Sequence, residues 1–322
     1  MASLYPEIAP YQHGMLAVGG GDLIYWETCG NPRGKPAVVL HGGPGSGCTP
    51  WHRRLFDPTR YRVVLFDQRN CGRSRPHAGD AATDLTNNNT SNLIADIELL
   101  RRHLEIDRWL LLGGSWGSTL ALAYAERHPA SVSEIILWGV TTGRRKEFDW
   151  WFRGGAADLF PVQWQRLRDA VPSEYHNDDI IEAYHQMLNG PDDAVRHRAA
   201  LEWCRWESAT LAWPPADTLA GRYKDPVFRV CFARIVTHFV RHNGWLEDGC
   251  ILRNAEVLGN IPGVMVSGRF DFQAPLGWAF ELKRVWPRAE HVVVGNAGHD
   301  GSHAAVTREL IAATERFARA AV

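Results

Sequence analysis

Short, fully apolar segments recur along this 322-residue chain, and they restrict the fold more than any other feature. "PAVVLHGG", "YRVVLFDQR", "RWLLL" (108–112), "SEIILWGV" (133–140), "IPGVMVSGRFD" (261–271) and "AEHVVVGNAGHD" (289–300) each read as a strand. Unbroken apolar runs of this kind suit strands covered on both faces, as in a parallel sheet. Helical segments lie between them. "SNLIADIELLRRHLEI" (91–106) carries Leu93, Ile94, Ile97, Leu100 and Leu104 at helical spacing, and "STLALAYAERHP" (118–129) is an Ala- and Leu-rich helix that Pro129 closes. The alternation predicts an α/β fold, a mostly parallel sheet with helices on both faces. "DLIYWETCG" adds an early strand.

The alternation is interrupted once. From 141 to 250 the pattern is helical, with no clear buried strand and with Trp150, Trp151, Trp164, Trp203, Trp206, Trp213 and Trp245. Residues 1–140 and 251–322 are therefore expected to form the α/β core, with 141–250 as an inserted helical cap. The tryptophans suit both a helical core and the underside of a cap lining an apolar pocket.

One junction carries chemistry. "LLGGSWGSTLAL" (111–122) contains G-x-S-x-G between a predicted strand and a predicted helix, the setting of a nucleophilic serine on a strained turn. The small residues at 113 and 117 let strand and helix approach closely around Ser115. A serine hydroxyl needs a base, itself oriented by a carboxylate. Asp271 and His299 follow later predicted strands in the order Ser, Asp, His, at the strand ends where open α/β sheets place their sites. Taken singly, Asp271 also suits a helix N-cap and His299 a loop histidine. "HGGPGSG" (41–47) ends an early strand with little side-chain bulk. Its Gly43, with Gly42 as the alternative, and the N–H of Trp116 are the candidate oxyanion donors.

Composition removes other classes. With 45% hydrophobic and 22% charged residues and a formal net charge of −1, the chain has no nucleic-acid footprint and no membrane-binding basic run. No apolar stretch approaches a membrane span, and "MASLYPEIAPYQHG" lacks the features of a secretory signal, so a cytoplasmic setting is expected. The six scattered cysteines form no C-x-x-C pair, which favours free thiols. "GNPRGKP" lacks phosphate-loop spacing. His238 and His242, and His299 and His303, are spaced i,i+4 without the glutamate of a metal motif, so no metal is expected.

With "HGGPGSG", "DQRNCGRSRPHA" (67–78), "GGSWGSTLALAYAERHP", "GRFD" (268–271) and "AGH" (297–299), the chain resembles the proline iminopeptidases nearly end to end. These are prolyl aminopeptidases of the α/β-hydrolase fold, in serine peptidase family S33. The resemblance implies Ser115 as nucleophile, His299 as general base, Asp271 as its orienting acid and no cofactor. It implies Glu207, in "WCRWESAT" (203–210), as anchor for the substrate's imino group. In "ARIVTHFV" (233–240), Val236 stands where the family places a second carboxylate. Thr141 and Val240 stand where relatives can carry phenylalanine, and Ala274 where some carry cysteine. These substrate-binding differences imply a relaxed or shifted specificity.

The expected substrate is a short peptide, or a small amide or ester. An esterase or amidase that ignores the N-terminal amine is the first alternative, and a non-catalytic binding module the second. Cys48 and Cys71 lie near the predicted site, either as ordinary buried thiols or as points where thiol reagents block the cleft.

Overall fold

The computed structural model describes residues 4–175, 179–215 and 218–319. Among the described residues the strands are β1 (Gln12–Ala17), β2 (Leu23–Gly30), β3 (Lys35–Leu40), β4 (Tyr61–Phe66), β5 (Trp109–Gly114), β6 (Val132–Trp138), β7 (Gly263–Gly268) and β8 (Ala289–Val294). They form one sheet in the order β1-β2-β4-β3-β5-β6-β7-β8. From β4 to β8 in that order every pair is parallel, whereas β2 runs antiparallel to both β1 and β4. The strand β1 ("QHGMLA") has no counterpart in the sequence reading. It is a half-exposed edge strand without the apolar run that reveals the others.

The helices are α1 (Pro50–Arg53), α2 (Thr90–His103), α3 (Trp116–Arg127), α4 (Arg145–Phe152), α5 (Pro161–Asp169), α6 (Ile180–Asn189), α7 (Asp193–Leu211), α8 (Pro226–Arg241), α9 (Cys250–Asn254), α10 (Leu276–Val285) and α11 (Ala304–Arg319). Alternation along the strands divides the core into two layers. Val38, Leu40 and Val64 pack on one face with Leu93 and Ile97 of α2 and Leu120 of α3. Ala37, Val39, Val63 and Leu65 pack on the other with Leu310 and Ile311 of α11. The two-face covering is the one the apolar strands predict.

Between β6 and β7 the described residues hold α4 to α9 and short 3-10 turns, without a strand. Trp151, Phe152, Tyr184, Leu188 and Trp203 centre a separate hydrophobic cluster there. Helix α8 joins this cluster to the sheet. Val230, Val236 and Val240 lie in the helical cluster, while Cys231, Ile235 and Phe239, one residue out of phase, lie in the sheet-side core. Arg234 of the same helix is buried and donates to the carbonyls of Ala78, Asp80 and Thr83, at 2.7, 2.6 and 3.0 Å. One guanidinium thereby satisfies a loop that has no ladder of its own.

Candidate active site

The glycines of the GGSWG turn are explained by collisions. A Cβ on Gly113 would strike the Gly117 carbonyl, and one on Gly117 the Leu40 carbonyl, so β5, β3 and α3 meet backbone to backbone. Between them Ser115 has φ 55° and ψ −125°, a conformation that L residues rarely adopt. Strain of that kind costs on the order of 1–3 kcal/mol and persists only where neighbours enforce it. Here the Ser115 N–H donates to the Trp138 carbonyl at 3.0 Å. Its own carbonyl accepts from Ser118 Oγ at 2.7 Å and Thr141 Oγ1 at 3.1 Å.

Asp271 follows β7 and His299 follows β8, and the fold brings them together. His299 Nδ1 lies 2.9 Å from each Asp271 carboxylate oxygen. Asp271 Oδ1 also accepts from the backbone N–H groups of Gln273 (3.1 Å) and Ala274 (2.7 Å). Asp271 is not the N-cap of the following helix, which starts after Pro275; its carboxylate closes its own turn and also meets the imidazole. His299 Nε2 is buried without a hydrogen-bond partner among the described residues. Ser115 and His299 line one cavity of about 150 Å³. That is below the roughly 300–1,000 Å³ of sites for drug-sized ligands, and suits the end of a small substrate.

Gly42 and Gly43 line the same cavity. Trp116 is the first residue of α3, where helix N–H groups lack intrahelical acceptors. The sequence reading missed what holds these two sides in place. Gln68 donates through Nε2 to the His41 carbonyl at 2.8 Å, and its backbone N–H donates to His41 Nε2 at 3.0 Å. Its Oε1 accepts from the Trp116 indole at 3.1 Å. Burial pushes His41 down to about 4. A neutral ring accepting at Nε2 carries its proton on Nδ1, which then donates to the Gly42 carbonyl at 3.0 Å. Asp67 performs a similar function one turn on, accepting from the Cys48 N–H at 2.7 Å and from Arg73 Nε at 2.7 Å. The "DQR" stretch was visible in the sequence, but its role depends on contacts across the sheet.

Glu207 lines the Ser115 cavity and is 1% exposed. Trp203 Nε1 donates to its Oε1 at 3.1 Å, and it has no ion-pair partner among the described residues. Burial holds its carboxyl well above the usual range, opposed only by that indole bond. The helix bearing Glu207 also touches the histidine loop, since the His299 N–H donates to the Leu211 carbonyl at 2.9 Å.

The remaining predicted binding residues divide. Thr141 and Val240 line a second, more apolar recess that shares Ser115, Trp151 and Gln273 with the first. Val236 and Ala274 line neither cavity. Val236 is fully buried on the helical-cluster face of α8, and Ala274 acts through its backbone N–H on Asp271. Cys48 and Cys71 also lie outside both linings. Burial raises both thiols well above their ordinary range, which favours the protonated form. His238 packs on Trp245 at 4.6 Å between ring centroids, and its Nε2 lies 3.1 Å from the Asn88 carbonyl.

Comparison with known proteins shows the family of the chain. The family model for the α/β-hydrolase fold matches residues 35–303. A probable proline iminopeptidase of Streptomyces coelicolor is 48% identical over 321 residues, covering 98% of each chain. A proline iminopeptidase of Xylella fastidiosa (strain 9a5c) is 46% identical, over 98% of this chain and 100% of that one. This chain belongs to the proline iminopeptidase family of α/β hydrolases. A bromoperoxidase structure from Bacillus anthracis superposes with a TM-score of 0.66 at 18% identity, over 95% of this chain and 99% of that one. The likeness extends the fold and not the chemistry.

Proposed function

We propose that this chain is a serine aminopeptidase that releases an N-terminal proline, or a similar residue, from short peptides. The observation that carries the reading is Glu207, a buried carboxylate without a counter-charge in the cavity that Ser115 lines. An isolated buried charge is costly unless paired. A substrate ammonium supplies the missing partner and is itself held by a charge-assisted hydrogen bond.

In the mechanism that follows, Ser115 Oγ attacks the carbonyl carbon of the N-terminal residue while His299 takes the hydroxyl proton. Asp271 fixes the imidazole and stabilises its charged form. The developing oxyanion accepts hydrogen bonds from the Gly43 and Trp116 N–H groups. The peptide C–N bond breaks, and His299 returns the proton to the leaving amine. Water, deprotonated by His299, then hydrolyses the acyl-enzyme and restores Ser115. The strained elbow and the His299–Asp271 pair support these roles.

The helical segment 141–250 is taken as a cap that supplies Glu207 and excludes folded proteins. Because position 236 is a valine, Glu207 acts without a second carboxylate from that position, and Thr141 and Val240 put two smaller side chains into a recess otherwise walled by Trp116, Phe148, Trp151, Phe152 and Trp278. Both support a specificity wider than proline alone. No helix among the described residues is long and apolar enough to cross a membrane, and six free cysteines agree with a cytoplasmic setting. Hydrolysis of a proline arylamide beside its N-acetylated form, with Ser115→Ala as blank, tests the reading. Cleavage of the free amine alone is expected. Equal cleavage of both would make the protein an esterase or amidase on this scaffold.

A further inference from the structure

We propose that the cavity rim is a carboxylate subsite, in which Arg222 captures the C-terminal carboxylate of a dipeptide whose ammonium Glu207 holds. The inference rests on the aminopeptidase reading and adds a substrate class, zwitterionic dipeptides.

Arg222 lines the cavity that contains Ser115, Glu207 and His299. It stands in the 3-10 turn Gly221–Lys224, on the helical side. Through Nη1 it donates to the Ser46 carbonyl and, at 3.4 Å, to the Gly47 carbonyl. Ser46 in turn donates its N–H to the Gly42 carbonyl at 3.1 Å, so the guanidinium is anchored one turn from Gly43. In a dipeptide only the amide nitrogen and one Cα separate the scissile carbonyl from the carboxylate, a reach of about 5 Å. A carboxylate on the leaving side of a substrate bound at Gly43 therefore falls near this loop.

Three features suit the guanidinium to an anion. Its carbon lies 4.8 Å from the Phe228 ring centroid, which holds the planar fork in one orientation. Its Nη1 contacts are carbonyls, and no acidic side chain pairs with it among the described residues. Arg53, Arg69, Arg73 and Arg144, by contrast, are all ion-paired. Its charge also reaches inward, adding to burial in pushing His52 down to about 3.

The other acid on this lining is Asp300, and it opposes an incoming carboxylate. Its oxygens already accept from the Ser302 N–H at 2.8 Å and Ser302 Oγ at 2.7 and 2.8 Å. The cavity thus carries a buried carboxyl at Glu207, able to pair with an ammonium, and a cation at its exposed edge, the order of groups in a zwitterion entering amine first. C-terminal amidation removes the attraction, and a longer peptide carries its carboxylate past Arg222.

The test measures kcat/KM for prolyl-alanine and for its C-terminal amide in the unmodified protein, Arg222→Gln, Arg222→Lys and Asp300→Asn. The ratio is taken within each variant, so a general loss of activity cancels. The unmodified protein is expected to prefer the free carboxylate by roughly tenfold, the size of one charge-assisted contact. Arg222→Gln brings the ratio to about one, Arg222→Lys restores part of it, and Asp300→Asn raises it. A ratio near one in the unmodified protein, or one unchanged by Arg222→Gln, overturns the subsite while leaving the aminopeptidase reading intact. Failure to cleave any proline substrate, with an aryl ester still hydrolysed, overturns both.

Discussion

On the sheet side of the cavity, Ser115, Asp271 and His299 follow β5, β7 and β8, and each is fixed by a hydrogen bond from its backbone N–H. On the helical side, Glu207 is held by one indole bond from Trp203. Catalytic groups need placement within a fraction of an ångström, and strand ends joined by backbone bonds provide it. Recognition depends on charge and shape, which single side chains on helices can alter. Val240 can therefore change with the reaction geometry left intact, whereas Thr141 also donates to the Ser115 carbonyl.

Four measurements break or sharpen this contrast. Ser115→Ala is the largest, with kcat expected to fall by roughly 10⁵ or more while thermal unfolding stays nearly constant. A residual rate within tenfold of the unmodified enzyme would remove the serine from the chemistry. Gln68→Ala comes next. It unfastens the Gly42–Gly43 loop from Trp116, and kcat is expected to drop about 10²-fold with KM little changed. A rise confined to KM would show that Gln68 serves binding instead.

Glu207→Gln addresses the other wall. The loss of one charged hydrogen bond of about 1.5–3 kcal/mol lowers kcat/KM for a free-amine substrate by roughly 10- to 100-fold. Turnover of a simple aryl ester without an amine should not follow it down. Parallel loss on both substrates would contradict the amine-anchor role.

The smallest effect is on stability. Burial raises the Glu207 carboxyl, so the folded state holds its proton more tightly than the unfolded one. The stability from that protonation is complete below the unfolded value and is lost as pH rises through the folded value. Glu207→Gln is accordingly expected to gain in melting temperature over the unmodified protein as pH rises above the ordinary carboxylate range. A difference independent of pH would show that the carboxyl is not buried as described.

Local patterns made much of this protein legible. Apolar runs gave β3 to β8, because a strand buried on both faces cannot hide its composition. Gly113 and Gly117 around Ser115 were readable because backbone-to-backbone packing at a turn leaves little chemical choice. The half-exposed β1 escaped notice, having no apolar run, and Gln68 did too, since a glutamine shows its partners only in three dimensions.

By itself the sequence determined the mostly parallel sheet, the strained serine turn and the order Ser115, Asp271, His299, since each depends on local periodicity and turn chemistry. Tertiary structure decided which helix faces turn inward. It put Val236 into the helical cluster, turned Ala274 into a backbone support for Asp271, and left Glu207 buried beside Arg222 on one cavity. Those outcomes depend on how two hydrophobic clusters share α8, a packing relation between segments far apart in the chain.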